Sequence, residues 1–216
     1  MSQPLQALYR EHESIAAVLH ALTYLAREAG LGKPVDTRVF RQILYYLDVF
    51  PERFHHPKED AVLFAAIGKR SDRARKIIAR LEKQHEAGAV ALRELEQALV
   101  RWEVGGEAEL ALFVRAATHF VERYREHMQL EEDELMPLAL AGEILTDKDW
   151  AQVEAAFARH RDPLSGVVAQ TSPQQIFQRI LNLAPPAGRG KPIRSDDVLA
   201  STRAHWARRE IAALLP

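Results

Sequence analysis

Apolar residues recur at helical spacing through most of the first 160 positions, and the alternating Val/Ile/Thr runs of half-buried strands are missing. Leu8, Ile15, Leu19 and Leu22 share one side of a first segment, and Ile78, Leu81, Leu92 and Leu95 one side of a third. Phe120, Tyr124, Leu130 and Leu135 form the matching stripe of a fourth. Breakers divide these stripes. The first helix is predicted from about residue 4 to 29, stopped by the Gly30-Leu31-Gly32-Lys33-Pro34 stretch. Asp36 caps a second helix that runs to about Ile67 and ends at Gly68. Pro51 and Pro57 inside it should kink it or loosen its hydrogen bonding. The third helix starts at Ser71 or Asp72 and ends near Gly105-Gly106; the fourth covers about 107 to 141.

Short connections between long helices make antiparallel neighbours, so the fold class is all-α: an up-down-up-down four-helix bundle over residues 1–142. Residues 143–216 form a helical extension, expected to pack on the bundle or on a partner subunit. It begins with a fifth helix from Thr146-Asp147 to about Arg161. A short helix over 174–183, a loop over 184–192 and a last helix over 195–215 follow.

Histidines interrupt the apolar stripes. His12, His85 and His127 lie on the inward faces of the first, third and fourth helices. His55 is followed by Glu59, and His127 by Glu131, each four residues on. That spacing stacks imidazole and carboxylate one helical turn apart on one face. The two halves resemble a repeat. An offset of 72 places His55, Glu59 and Asp60 on His127, Glu131 and Glu132, and an offset of 73 places His12 on His85.

Buried glutamates without partners cost several kcal/mol or force protonation. Two metal ions held by His12, His55, Glu59, His85, His127 and Glu131 remove that cost. Four imidazoles and two carboxylates suit iron, with manganese or zinc as substitutes. If both glutamates bridge, each ion keeps a position for a bridging oxygen and an open one. Gly88 and Ala89, one turn beyond His85, either leave room there for water or a diatomic ligand or serve close helix–helix packing. His56 is rotated about 100° from His55 on a regular helix and is expected to face outward, replacing His55 only if Pro57 shifts the phase. Glu132 and Tyr124 are further candidates near the centre, as alternates or as hydrogen-bonding partners of the ligands.

Composition narrows the reading. Net charge is −1, which gives no bulk electrostatic case for nucleic acid. The C-terminal part from Arg161 is basic, with eight Lys/Arg against four Asp/Glu, but its aliphatic positions favour packing or a homodimer contact. The absence of cysteine excludes disulfides, iron–sulfur ligation and thiol catalysis. No apolar run reaches transmembrane length and no signal-peptide pattern opens the chain, so a cytoplasmic protein without a membrane partner is expected.

The ordered set Arg10-Glu11-His12-Glu13, His55-His56-Pro57-Lys58-Glu59-Asp60, Gln84-His85-Glu86 and His127-Met-Gln-Leu-Glu131-Glu132 resembles the hemerythrin-like, or HHE cation-binding, family over roughly residues 5–140. The resemblance implies a non-haem di-iron centre, oxo- or hydroxo-bridged, that binds oxygen or responds to oxygen, nitric oxide or iron. It carries over His12, His55, Glu59, His85, His127 and Glu131 as ligands. Oxygen carriers of the family have a further histidine one turn after the third-helix ligand, where this chain has Ala89, and an aspartate where it has Glu132. The set therefore looks like the six-ligand subgroup.

Two other classes compete. A ferritin-like di-iron protein pairs E-x-x-H motifs, and Glu52…His55 and Glu82…His85 fit that spacing; a peroxidase-type enzyme on the same metals is its catalytic form. A helical bundle whose metal only stabilises the fold is the other. Nothing in the sequence supports catalysis beyond metal–oxygen chemistry.

Overall fold

The computed structural model describes residues 3–140 and 144–164. Five helices fill these residues, and no strand occurs among them. Helix α1 is Gln3–Gly30, α2 spans residues 37–68, α3 is Asp72–Gly105, α4 spans 107–140 and α5 is Asp147–Arg159. The helices predicted over 174–183 and 195–215, with any homodimer contact through them, lie outside the described residues.

The caps are local chemistry. The Asp36 side chain accepts from the Arg38 amide at 2.9 Å, and the Ser71 hydroxyl from the Ala74 amide at 3.1 Å. Thr146 and Asp149 form a reciprocal capping box at the start of α5. Gly106, at φ 71, takes the left-handed turn between α3 and α4.

Two apolar layers build the bundle, and the polar motifs lie between them. One layer contains Ile15 to Ala29 of α1, Val39 to Phe50 of α2, Ala91 to Trp102 of α3 and Leu110 to Met128 of α4. The other contains Leu5 and Leu8, Leu63 to Ile67, Ala74 to Leu81 and Leu130 to Ala139. The order of the layers reverses from each helix to the next, as an up-down-up-down bundle requires. His12, His55, His85 and His127 fall at the gap between the layers, one on each of the four bundle helices.

Helices α2 and α4 are not regular there. Residues Asp48–His55 and Glu59–Phe64 of α2, and Glu131–Leu135 of α4, are π-helical. Proline lacks the N–H of the usual ladder and its ring crowds the preceding turn. Pro51 lies within the first π stretch, Pro57 between the first and second, and Pro137 just after the third. Both H-x-x-x-E glutamates open a π stretch, so the repeat extends to the backbone.

Helix α5 packs across the outside of α1 and α2. Val153 and Phe157 are buried in the second apolar layer. Lys58, although charged, is buried beneath α5, with Nζ 4.5 Å from the Phe157 ring centroid. The chain after α5 is tied down by Asp162, which accepts from the Tyr46 hydroxyl at 3.1 Å. No helix among the described residues is long and apolar enough to cross a membrane.

Candidate metal centre

The structure brings His12, His55, Glu59, His85, His127 and Glu131 together, all of them buried. Glu59 lies at the middle. Its Oε1 is 3.0 Å from His55 Nε2 and 3.7 Å from His12 Nε2, while its Oε2 is 3.6 Å from His85 Nε2. Each oxygen thus faces a different group of imidazoles. Glu131 Oε2 is 3.3 Å from His12 Nε2 and 3.8 Å from His127 Nε2. Two overlapping groups have the spacing of a metal site: His12, His55 and Glu59, and His56, Glu59, His85 and His127.

Each of the four sequence-predicted histidines is held from behind. The Nδ1–H of His12 donates to Glu132 at 2.7 Å, and that of His55 to Glu11 at 2.8 Å. His85 donates to Asp60 at 2.9 Å, and His127 to the Gln84 amide oxygen at 3.3 Å. An acceptor behind Nδ1 fixes the tautomer and aims the Nε2 lone pair inward, as outer partners of metal-binding histidines do. Asp60 and Glu132 are equivalent in the repeat. Each follows an inward glutamate and steadies the lone histidine of the neighbouring helix.

The donor set fits a metal pair. His12 Nε2, His55 Nε2 and all four oxygens of Glu59 and Glu131 are buried without a hydrogen-bond partner. Buried polar groups are almost always paired, so such a concentration of orphans points to a cation. His85 Nε2 and His127 Nε2 face each other at 3.3 Å, and with their protons on Nδ1 this opposes two lone pairs. Without a metal, protons must compensate. Burial, with the charge of Glu131, pushes the Glu59 carboxyl up. Burial opposes charging of His12, yet the carboxylates of Glu131, Glu132 and Glu59 that face its ring hold it well above its usual value. Burial and the neighbouring cations push His55 well down.

A family model for the hemerythrin HHE cation binding domain matches residues 3–139. The chain belongs to this hemerythrin family. No curated protein and no solved structure matches the chain significantly. The match covers the four bundle helices and stops before α5, so metal binding by a helical bundle is the family's contribution to the reading.

The structure corrects one sequence expectation. His56 does not face outward: it is 4% exposed and its ring stacks on His85 with centroids 4.1 Å apart. The outward placement assumed 3.6 residues per turn. The π stretches around Pro57 widen the turn, and neighbouring residues 55 and 56 both reach the interior. Tyr124 is buried with its hydroxyl 2.9 Å from His56 Nε2. The ferritin-like donor set is not assembled, since Glu82 is exposed and Glu52 belongs to neither group with metal-site spacing.

Glu11, Lys58 and Gln84 are functional neighbours that periodicity did not single out. Glu11 accepts from both His55 and Lys58 Nζ, the latter at 2.7 Å, and burial pushes its carboxyl up to about 7 despite Lys58. Their signal was adjacency to the motifs: Glu11 precedes His12, Gln84 precedes His85 and Lys58 precedes Glu59.

A gorge of about 320 Å³ leads to the centre between α3 and α4. Its floor includes His56, His85, His127 and Tyr124, and His119, Arg123 and Glu126 lie at its mouth. Gly88 forms part of the wall, and a Cβ there would meet Glu52 Oε1 at 3.6 Å. His119, eight residues before His127, belongs to the entrance rather than the centre.

Proposed function

We propose that this hemerythrin-family chain holds two iron ions through His12, His55, Glu59, His85, His127 and Glu131, and uses them to bind and report a small ligand such as oxygen or nitric oxide. The observation that carries this reading is the set of unpartnered, buried donor atoms of His12, His55, Glu59 and Glu131, grouped with the His85 and His127 imidazoles that line a gorge. Glu59 offers one oxygen to each group of imidazoles, the disposition of a carboxylate shared by two cations. A mixed imidazole and carboxylate donor set without thiolate suits iron, and manganese or zinc are substitutes.

The metal pair would supply Lewis acidity, redox capacity and an open coordination position. The protein residues do the rest. Glu11, Glu132, Asp60 and Gln84 aim the four imidazoles. The two apolar layers exclude bulk water on either side, and the gorge limits entry to the face beside His85 and His127. Tyr124 places a hydroxyl at the gorge floor, where it can donate a hydrogen bond to an entering ligand. A cytoplasmic setting accords with this role, and helix α5 covers the outside of α1 and α2.

The test is aerobic purification with elemental analysis and an absorption spectrum, followed by nitric oxide titration. Two irons per chain, with a near-ultraviolet band that changes on titration, are expected. A protein that takes up no metal on reconstitution would refute the reading. Tightly bound metal with no response to oxygen, nitric oxide or reductant would assign it a structural role instead.

A further inference from the structure

We infer that His56 is a fifth imidazole ligand of the metal pair, supplied by α2 in place of the histidine that α3 lacks at Ala89. This inference rests on the two-metal reading above. Its first support is position. His56, His85 and His127 form one cluster with ring centroids 4.1, 4.7 and 5.4 Å apart. His12 and His55, which face the other oxygen of Glu59, are 5.0 Å apart. The spacings on the two sides are alike, and His56 shares a ligand-spaced group with Glu59, His85 and His127.

The second support is wiring. Each of the other four histidines has an acceptor behind Nδ1 and directs Nε2 inward. His56 has a carboxylate on the same side, though not within hydrogen-bond distance. Its Nδ1 is buried without a hydrogen bond, and the nearest carboxylate oxygen in its direction is Glu52 Oε1, 3.7 Å away and equally unpartnered. A small rotation of either side chain closes that pair. Its Nε2, at the gorge floor, is hydrogen-bonded to the Tyr124 hydroxyl at 2.9 Å, a bond that coordination would replace. Glu52 thereby takes the part that Glu11, Glu132, Asp60 and Gln84 play for the others, as a positioning residue.

The third support is the asymmetry that remains without it. His12 and His55 serve one side of Glu59 together with Glu131. Gly88, without a side chain on α3, lines the gorge beside His56 and His85 and leaves room there. The π stretches of α2 bring His56 to this place by turning 55 and 56 inward together. The chain then offers five imidazoles and the carboxylates of Glu59 and Glu131, with the third imidazole at the gorge end.

The test is anaerobic iron titration of the full-length wild type, His56→Ala and Glu52→Gln, read by bound metal per chain and by Mössbauer spectra. The wild type is expected to bind two irons in distinguishable environments. His56→Ala should weaken one equivalent by more than ~100-fold and change one iron signal only, with added imidazole restoring it. Glu52→Gln should weaken the same equivalent by roughly tenfold, the low end for loss of an outer partner. Two wild-type-like equivalents and unchanged spectra in His56→Ala would overturn the inference while leaving the two-metal reading intact. A wild type that binds no iron would overturn both. If His56→Ala does not fold by circular dichroism, Glu52→Gln decides: a weakened single equivalent supports the inference, and an unchanged one overturns it.

Discussion

Substituting Gly88 separates the stability of α3 from the openness of the gorge. The residue lies inside a long helix, where glycine is about 1 kcal/mol less favourable than alanine. A Cβ at this position meets only Glu52 Oε1, at 3.6 Å, an ordinary van der Waals distance. Gly88→Ala therefore adds a methyl without a clash and should stabilise the protein by roughly 0.5–1 kcal/mol. In a chain of this size that is about 2–4 °C in Tm per kcal/mol. The methyl occupies roughly one water's share of volume, about 30 Å³, in a gorge of about 320 Å³. Entry should stay open in the alanine variant. Gly88→Leu fills much more of the wall, and a constriction costing about 1.4 kcal/mol slows entry tenfold. Thermal unfolding and stopped-flow nitric oxide binding to the iron-loaded protein measure the two effects separately. A lowered Tm in Gly88→Ala would show that glycine is needed for close packing. A wild-type association rate in Gly88→Leu, with iron content unchanged, would refute the gorge as the route to the metals.

Three further outcomes follow from the same geometry. Burial pushes Glu11 and Glu52 up to about 7 and raises Glu59 further, so these carboxyls hold protons more tightly folded than unfolded. Such groups contribute stability that is present at low pH and lost as pH rises through their folded values. Glu11 and Glu52 lose their contribution between their unfolded value and about pH 7, and Glu59 continues to about pH 8. Between pH 7 and 8 the metal-free protein should therefore still lose stability, and with it Tm, through Glu59, by up to about 1.4 kcal/mol per pH unit. In that window His55, His56 and His127, held well below their usual value, are already neutral and do not oppose the trend. Iron loading should reverse the slope, because ligands must be deprotonated to bind; a flat or rising metal-free curve contradicts the assignment. Lys58→Met leaves Glu11 buried without its cation and should cost about 3–5 kcal/mol in urea unfolding. Adding Glu11→Gln should recover much of that loss, and no recovery would show that Lys58 acts through its packing. Phe157→Ala removes a ring that is 3% exposed and should cost about 3–5 kcal/mol; a loss under 1 kcal/mol would show that α5 contributes little to the bundle.

Much of this protein was legible before folding was considered, because helix caps, breakers and apolar periodicity act over a few residues. Asp36, Ser71 and Thr146 start helices through hydrogen bonds to amides two or three residues on. His12, His85 and His127 lie in α-helical stretches, and 3.6-residue spacing alone puts them inside. The 72-residue offset likewise pairs Glu59 with Glu131 and Asp60 with Glu132, although it does not say which histidine each acid will meet. Those meetings cross helices: His12 with Glu132, His55 with Glu11 and His85 with Asp60 are partners only because the bundle aligns them. The burial of Lys58 likewise depends on α5 closing over α2. His56 marks the boundary between the two kinds of information. Its inward position requires a helix that leaves the α-helical period around Pro51 and Pro57, and the phase of a distorted helix is decided by what packs against it rather than by its own sequence.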